Sequence, residues 1–177
     1  MELREVMQKR KSIRQYLTTP VEEEKVKAMI EAAILAPTWK NAQEIRYYVA
    51  VSEEKRQAVL DALGEGNRKK TQNAPVFLIS AVILNRAGFQ KDGSADNELG
   101  NGWGCYDLGL QNENLILKAT DLGLSTLIMG LREANRLREI LNIPETETIV
   151  SVIAVGKAAE EPIRPHRKPI EEIAKFF

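Results

Sequence analysis

The sequence predicts an α+β fold or three-layer α/β sandwich, and three observations lead there. Segments with helical spacing of apolar residues alternate with short runs rich in β-branched and aromatic residues. One such run, residues 75–84 (PVFLISAVIL), is apolar on both faces and so belongs at the centre of a covered sheet. Some connections between these segments are too short for a regular crossover. A length of 177 residues favours one domain spanning 1–177. Such a chain buries roughly 70% of its extended surface, enough for a substantial core.

Leu3, Val6 and Met7 have helical spacing, so residues 2–10 read as a first helix, ending before an irregular segment that carries Ser12 and Arg14. In the second helix Thr19 is the expected cap, Pro20 the first helical residue and Glu22 the return partner of a capping box. Its stripe of Val26, Met29, Ile30, Ala33 and Ile34 must face a core and continues until Pro37. A strand over 45–51 (IRYYVAV) precedes Ser52, which caps a helix over 53–63. After the central run, Leu108, Leu115, Ala119 and Leu122 mark a long helix over 104–122, ended by Gly123. A strand over 125–129, a helix over 132–142 stopped by Pro144 and a last buried strand over 148–156 complete the order. Two irregular stretches, 85–102 and 157–170, are expected to be functional loops or packing arms.

Composition excludes much side-chain chemistry. The 25 Lys and Arg balance 25 Asp and Glu, so no net charge attracts nucleic acid. One cysteine and one histidine leave no intrachain disulfide, no cysteine-rich zinc site and no two-histidine metal site. Phosphate-loop, dinucleotide-fingerprint, HExxH and nucleophile-elbow motifs are absent. His166, between Pro165 and Arg167, reads as a surface residue, and Cys105, on an apolar helix near Trp103, as a buried inert thiol. The amino terminus lacks the apolar segment of a signal peptide, and the most apolar run is about half of what a membrane span requires. A cytoplasmic protein without nucleic-acid or membrane partners is therefore expected.

Two basic clusters stand near the ends of the chain, Lys9-Arg10-Lys11-Ser12-Ile13-Arg14 and Arg164-Pro165-His166-Arg167-Lys168-Pro169. Each reads as a solvated face, a nucleic-acid contact or an anion site built from Arg forks and a hydroxyl. Convergence of the two in space would favour the anion site. A third polar run, Asn67 to Gln72, reads as a solvated turn before the central strand.

Four of these segments, in this order, resemble the FMN-dependent nitroreductase family: Arg10-Lys11-Ser12-Ile13-Arg14; Ala36 to Gln43 (APTWKNAQ); Asp107 to Asn114 leading into LKATDLGLSTLIMG; and Arg167-Lys168-Pro169. The resemblance covers nearly the whole chain. It implies a three-layer α/β/α sandwich with a central mixed, mostly antiparallel sheet, and a homodimer with FMN at the subunit interface. It assigns Arg10, Lys11, Ser12 and Arg14 to the phosphate, ribityl chain and pyrimidine edge of FMN, with Arg167, followed by Lys168, as the phosphate arginine. Pro37, Thr38, Trp39 and Asn41 would reach the flavin from the other subunit. The main chain at Met129 and Gly130 would lie at flavin N5. Asn67, Lys70 and Gln72 fall near a further cofactor segment, with no choice among them.

No side chain is expected to be catalytic, and no metal is implied. The implied reaction is ping-pong: NAD(P)H passes hydride to FMN N5 and leaves, and a small electron-poor acceptor such as a nitroaromatic or quinone takes the electrons. Alternatives are a flavin-binding protein without turnover, a small phosphate- or nucleic-acid-binding module, or a specialised family activity such as reductive dehalogenation. The sequence departs from the family pattern at Gln43-Glu44-Ile45, where Gln-Pro-Trp is common, at Lys11, where a second Arg is usual, and at Met129, where many relatives carry an acid. These departures bear on substrate preference more than on flavin binding. Asn101 to Gly104 either shapes the substrate side of the pocket or is simply a loop leading into a helix.

Overall fold

The computed structural model describes residues 1–177. In chain order the elements are α1 (Leu3–Lys9), α2 (Glu23–Ile34), a 3-10 turn (Trp39–Asn41), β1 (Ile45–Ala50), α3 (Glu53–Asp61), α4 (Glu65–Thr71), β2 (Val76–Ile83), α5 (Gly102–Asp121), β3 (Ser125–Met129), α6 (Ala134–Leu141), β4 (Glu147–Gly156) and α7 (Ile170–Ile173). The strands form one sheet in the order β1-β2-β4-β3, and all three pairings are antiparallel. The one parallel feature is a single bridge between Ser12 and Thr126, where the Ile13 N–H donates to the Thr126 carbonyl at 3.1 Å. The segment after α1 thus lies along the outer edge of β3.

Alternation along the two central strands divides the core. Phe77 and Ile79 of β2, with Val152 and Ala154 of β4, face one side and pack with Val59 and Leu60 of α3 and Leu137 of α6. Their neighbours Val76, Leu78, Ile153 and Val155 face the other side and pack with Val26, Met29 and Ala33 of α2 and Leu115 and Ala119 of α5. The result is the three-layer arrangement, with β2 buried on both faces as its sequence requires. A bulge at Val150 of β4, opposite the Ser80–Ala81 step of β2, shifts the β2–β4 register beside Ser80, whose hydroxyl lies 2.7 Å from that of Ser151.

Several local expectations hold and several do not. Ser52 caps α3 by accepting the Lys55 N–H at 3.3 Å. Gly123, at φ +72°, ends α5 by letting the Leu124 N–H reach back to the Ala119 carbonyl at 2.8 Å. The capping box before α2 does not form. Val21 packs against the α2-side core, Glu22 stays extended at the cap position with its carboxylate on Lys25 rather than on a helix N–H, and the helix begins at Glu23. Its stripe is buried at Val26, Met29 and Ala33, but Ile34 is 63% exposed. Asn142 rather than Pro144 stops α6, in the left-handed conformation at φ 52°. The polar run Asn67 to Gln72 is no turn, because most of it belongs to α4. Cys105 is exposed rather than buried, since it lies on the outward side of α5 while Gly104, Asp107, Leu108 and Gln111 take the inward stripe. His166 is exposed, as expected. Asn101 is the cap residue of α5, so Trp103 lies in the first turn of that helix.

Candidate functional site

After β4 the chain runs back beside the amino-terminal segment. The Leu17 N–H donates to the Lys157 carbonyl at 3.0 Å and the Ala159 N–H to the Gln15 carbonyl at 2.9 Å. This pairing carries the second basic cluster onto the first. Arg10, Lys11, Ser12, Arg14, Arg164 and Arg167 line one cleft of about 80 Å³ together with Pro162, Ile163 and Pro165. Arg164 spends its guanidinium on the last turn of α1, donating to the Met7 and Gln8 carbonyls at 3.0 and 3.1 Å. Lys11 is paired with Glu161. Arg10, Arg14 and Arg167 have no carboxylate within ion-pair distance. Arg14 and Arg167 each donate one N–H to a local carbonyl, of Ser12 and Pro165, both at 3.2 Å, and the Arg14 main-chain N–H donates to Glu160. Three guanidinium groups without a salt-bridge partner and a hydroxyl around one small cleft fit a phosphate. Lys168 is not part of it and pairs with Glu172 on α7 at 3.0 Å.

Arg14 also borders a larger neighbouring cleft of about 530 Å³, lined by Tyr16, Lys69, Lys70, Gln72 and Asn73 among others. The polar groups of α4 and its end therefore point toward the same basic segment. Asn67 does not line the cleft. Its amide instead donates to the Leu131 carbonyl at 3.3 Å, tying α4 to the chain just beyond Gly130. The Met129 side chain is buried in the core, so only its main chain is available to a ligand. Gly130 is exposed, and a Cβ built there would meet nothing within 4 Å.

The turn before β1 is a separate construction. Lys40, Asn41 and Gln43 have φ of 47°, 56° and 49°, left-handed values that cost non-glycine residues of order 1 kcal/mol each. Hydrogen bonds hold this shape. The Trp39 N–H donates to Asp107 Oδ2 at 2.7 Å, and the Gln43 N–H to Thr38 Oγ1 at 3.2 Å. The Trp39 indole N–H and the Lys40 ammonium both reach Asp96, at 3.2 and 2.8 Å. Thr38 and Asn41 line a cleft of about 230 Å³ with Ile34, Gln43, Arg46 and Gln111, whereas exposed Pro37 does not line it. One face of Trp39 is taken by Trp103, with ring centroids 4.4 Å apart.

The sheet register sets the distance between the two constructions. Thr126, beside Ser12, is level with Val155 and Val76, one residue beyond the Ala50 end of β1, whereas Thr38 and Asn41 lie before the Ile45 end. Three strand spacings of about 4.8 Å and six residues at about 3.3 Å place them at diagonally opposite corners, more than about 20 Å apart.

Three of the polar groups in and around these clefts were not singled out by sequence reasoning. Lys69 sits in the polar run that forms most of α4, and Asn73 follows that run. Asp107 occupies the inward stripe of α5 at helical spacing with Gly104, Leu108 and Gln111, a pattern that marks a buried carboxyl. Glu44, known only as a departure from a motif, is fully buried, and neither carboxyl oxygen meets a hydrogen-bond donor. Burial pushes its pKa up to about 7; the neighbouring Asp107 adds to the shift and Arg86 opposes it.

Comparison with known proteins bears on what these clefts hold. The sequence model described as Nitroreductase family matches residues 7–157. FMN reductase [NAD(P)H] of Bacillus subtilis is 28% identical over 172 residues, covering 92% of this chain and 68% of the relative. NADH dehydrogenase of Thermus thermophilus is 27% identical over 189 residues, covering 93% and 91%. Among solved structures, a nitroreductase family protein of Streptococcus pneumoniae superposes with a TM-score of 0.87 at 21% identity, covering 99% of this chain and all of the other. A nitroreductase family protein of Clostridium difficile gives 0.81 at 24%, covering 99% and 98%.

Proposed function

Since the chain belongs to the nitroreductase family, we propose that it is an NAD(P)H-dependent FMN oxidoreductase, one domain spanning 1–177, that reduces small electron-poor acceptors such as nitroaromatics or quinones. The observation that carries the reading is the convergence of two basic clusters, far apart in sequence, on one cleft where Arg10, Arg14 and Arg167 have no salt-bridge partner. FMN, when bound, supplies two-electron hydride chemistry between the nicotinamide and the acceptor. Everything else is binding and electrostatics. Arg10, Ser12 and Arg167 hold the phosphate, with Lys11 free to join when it leaves Glu161. Arg14 borders both clefts, so its charge extends from the phosphate toward the larger cleft, where Lys70 and Gln72 offer donors to the pyrimidine edge. A cation there favours negative charge near flavin N1 and O2, which draws the cofactor toward reduction.

The reading also requires a second copy of the chain. Thr38 and Asn41 lie too far from Ser12 for one protomer to bring both to one phosphate-anchored ligand, so a two-fold partner supplies the turn. Exposed Leu35 beside that turn and Tyr106 on α5 are large apolar groups suited to such an interface.

The test is direct. Purified protein reconstituted with FMN should show a flavin spectrum that bleaches anaerobically with NAD(P)H and recovers with a quinone. Arg10→Ala and Arg167→Ala should each weaken FMN binding about 10- to 100-fold, the loss of one charge-assisted contact. Bleaching without recovery on any acceptor would leave a flavin-binding protein without turnover, and no flavin spectrum would end the reading.

A further inference from the structure

Glu44 and Asp107 form a buried carboxyl pair that cofactor binding leaves unused. Glu44 closes the Trp39–Gln43 turn and precedes β1; its side chain is wholly buried and faces Asp107 of α5, itself only 4% exposed. Gly104, one turn before Asp107, makes this approach possible. A Cβ there would fall 2.4 Å from Val82 Cγ1 and 3.9 Å from Glu44 Cγ. The cation acting on Glu44 is Arg86, in the loop after β2. The other charges nearby are committed elsewhere: Arg46 donates to the Gln43 and Ile45 carbonyls at 3.0 and 2.7 Å, and Lys40 pairs with Asp96.

Two carboxylates buried together without a contacting cation do not both ionise; one proton stays between them. Asp107 Oδ2 is already committed as an acceptor, to the Trp39 N–H, whereas neither Glu44 oxygen has a partner. The proton therefore resides on Glu44, which can donate toward Asp107 and so satisfy an oxygen that otherwise has no partner.

We propose that Glu44 and Asp107 share one proton beneath the Trp39–Gln43 turn, and that this proton holds the turn in the shape that presents Thr38 and Asn41 to the cofactor. Asp107 is then a positioning residue, and Glu44 is its proton-carrying partner. The inference rests on the proposed role of that turn in FMN binding. Three left-handed residues make the turn dependent on what grips it. Removing the proton sets two negative charges against each other, draws Asp107 from the Trp39 N–H and disturbs the tilted Trp39–Trp103 contact.

The flavin-free protein provides the readout. Its near-ultraviolet circular dichroism, sensitive to the Trp39–Trp103 pair, should show a one-proton transition near neutral pH. Glu44→Gln keeps a donor toward Asp107 but cannot ionise, and should hold the acid-form signal throughout. Asp107→Asn still accepts the Trp39 N–H but removes the repelling charge, and should move the transition down by about one pH unit or more. The infrared carbonyl stretch of a buried protonated carboxyl should vanish in Glu44→Gln. FMN dissociation constants should rise about tenfold across the wild-type transition and stay flat in Glu44→Gln. Absence of the transition, or its persistence in Glu44→Gln, overturns the shared proton; should that variant fail to fold, an unmoved transition in Asp107→Asn does the same. A transition with constant FMN affinity overturns the link from turn to cofactor. Failure to bind FMN at any pH overturns the functional reading instead, and the dichroism still decides the proton.

Discussion

Single residues divide into those held by other protein groups and those left free for a ligand. Lys11 and Arg164 are held, the first by Glu161 and the second by the end of α1; Arg167 gives one N–H to the Pro165 carbonyl at 3.2 Å, and neither it nor Arg10 has an acidic partner. Arg14 is distinct because it borders both clefts. Arg14→Ala should weaken FMN retention and also lower the reduction potential of the bound flavin, measured against a dye couple; an unchanged potential would show that this cation is remote from the ring. The acidic pair makes the opposite kind of contribution. Glu44 binds its proton more tightly folded than unfolded, so the stabilisation is complete below its ordinary pKa of 4.5 and is lost as pH rises through about 7. Urea midpoints should fall across that window in the wild type and change less in Glu44→Gln.

At the scale of elements, the basic segment is only as well placed as the edge it lies on. Tyr16, buried beneath it, donates to the Ile13 carbonyl at 3.0 Å, and burial raises its phenol pKa far above the ordinary value. The end of β4 closes against the same ring. A Cβ at Gly156 would lie 2.6 Å from Pro75 Cδ and 3.0 Å from Tyr16 Cδ1, and the proline ring cannot rotate away. Gly156→Ala should therefore cost about 1–3 kcal/mol, a lowering of Tm by several degrees, and should weaken FMN binding through displacement of the Arg14 segment. A variant with wild-type Tm would mean that the strand end yields freely. The missed capping box belongs to this scale too: Thr19, Pro20 and Glu22 carry the local signal for a helix start, but the apolar Val21 is drawn to the core and moves the start to Glu23.

For the whole molecule, the basic cleft and the Trp39–Gln43 turn occupy opposite corners of one sheet, so the proposed FMN site, which uses both, would sit between two copies. Light scattering should give the mass of two chains, and FMN should dissociate as dilution separates them. A flavin-loaded single chain would contradict this arrangement. No helix is long and apolar enough to cross a membrane.

What the sequence determined was local and periodic: five of the seven helices (α1, α2, α3, α5 and α6), all four strands, the central place of β2, and the two basic clusters as candidates for phosphate chemistry. These were legible because apolar spacing and guanidinium groups declare themselves within a few residues. The helical phase of 65–71, the exposure of Cys105 and the partnership of Glu44 with Asp107 depended on which side of each element met the core, a long-range choice that no window contains. The same holds for the site. Arg10 and Arg167 stand 157 positions apart in sequence, and only the return of the chain beside Gln15 and Leu17 brings their charges to one cleft.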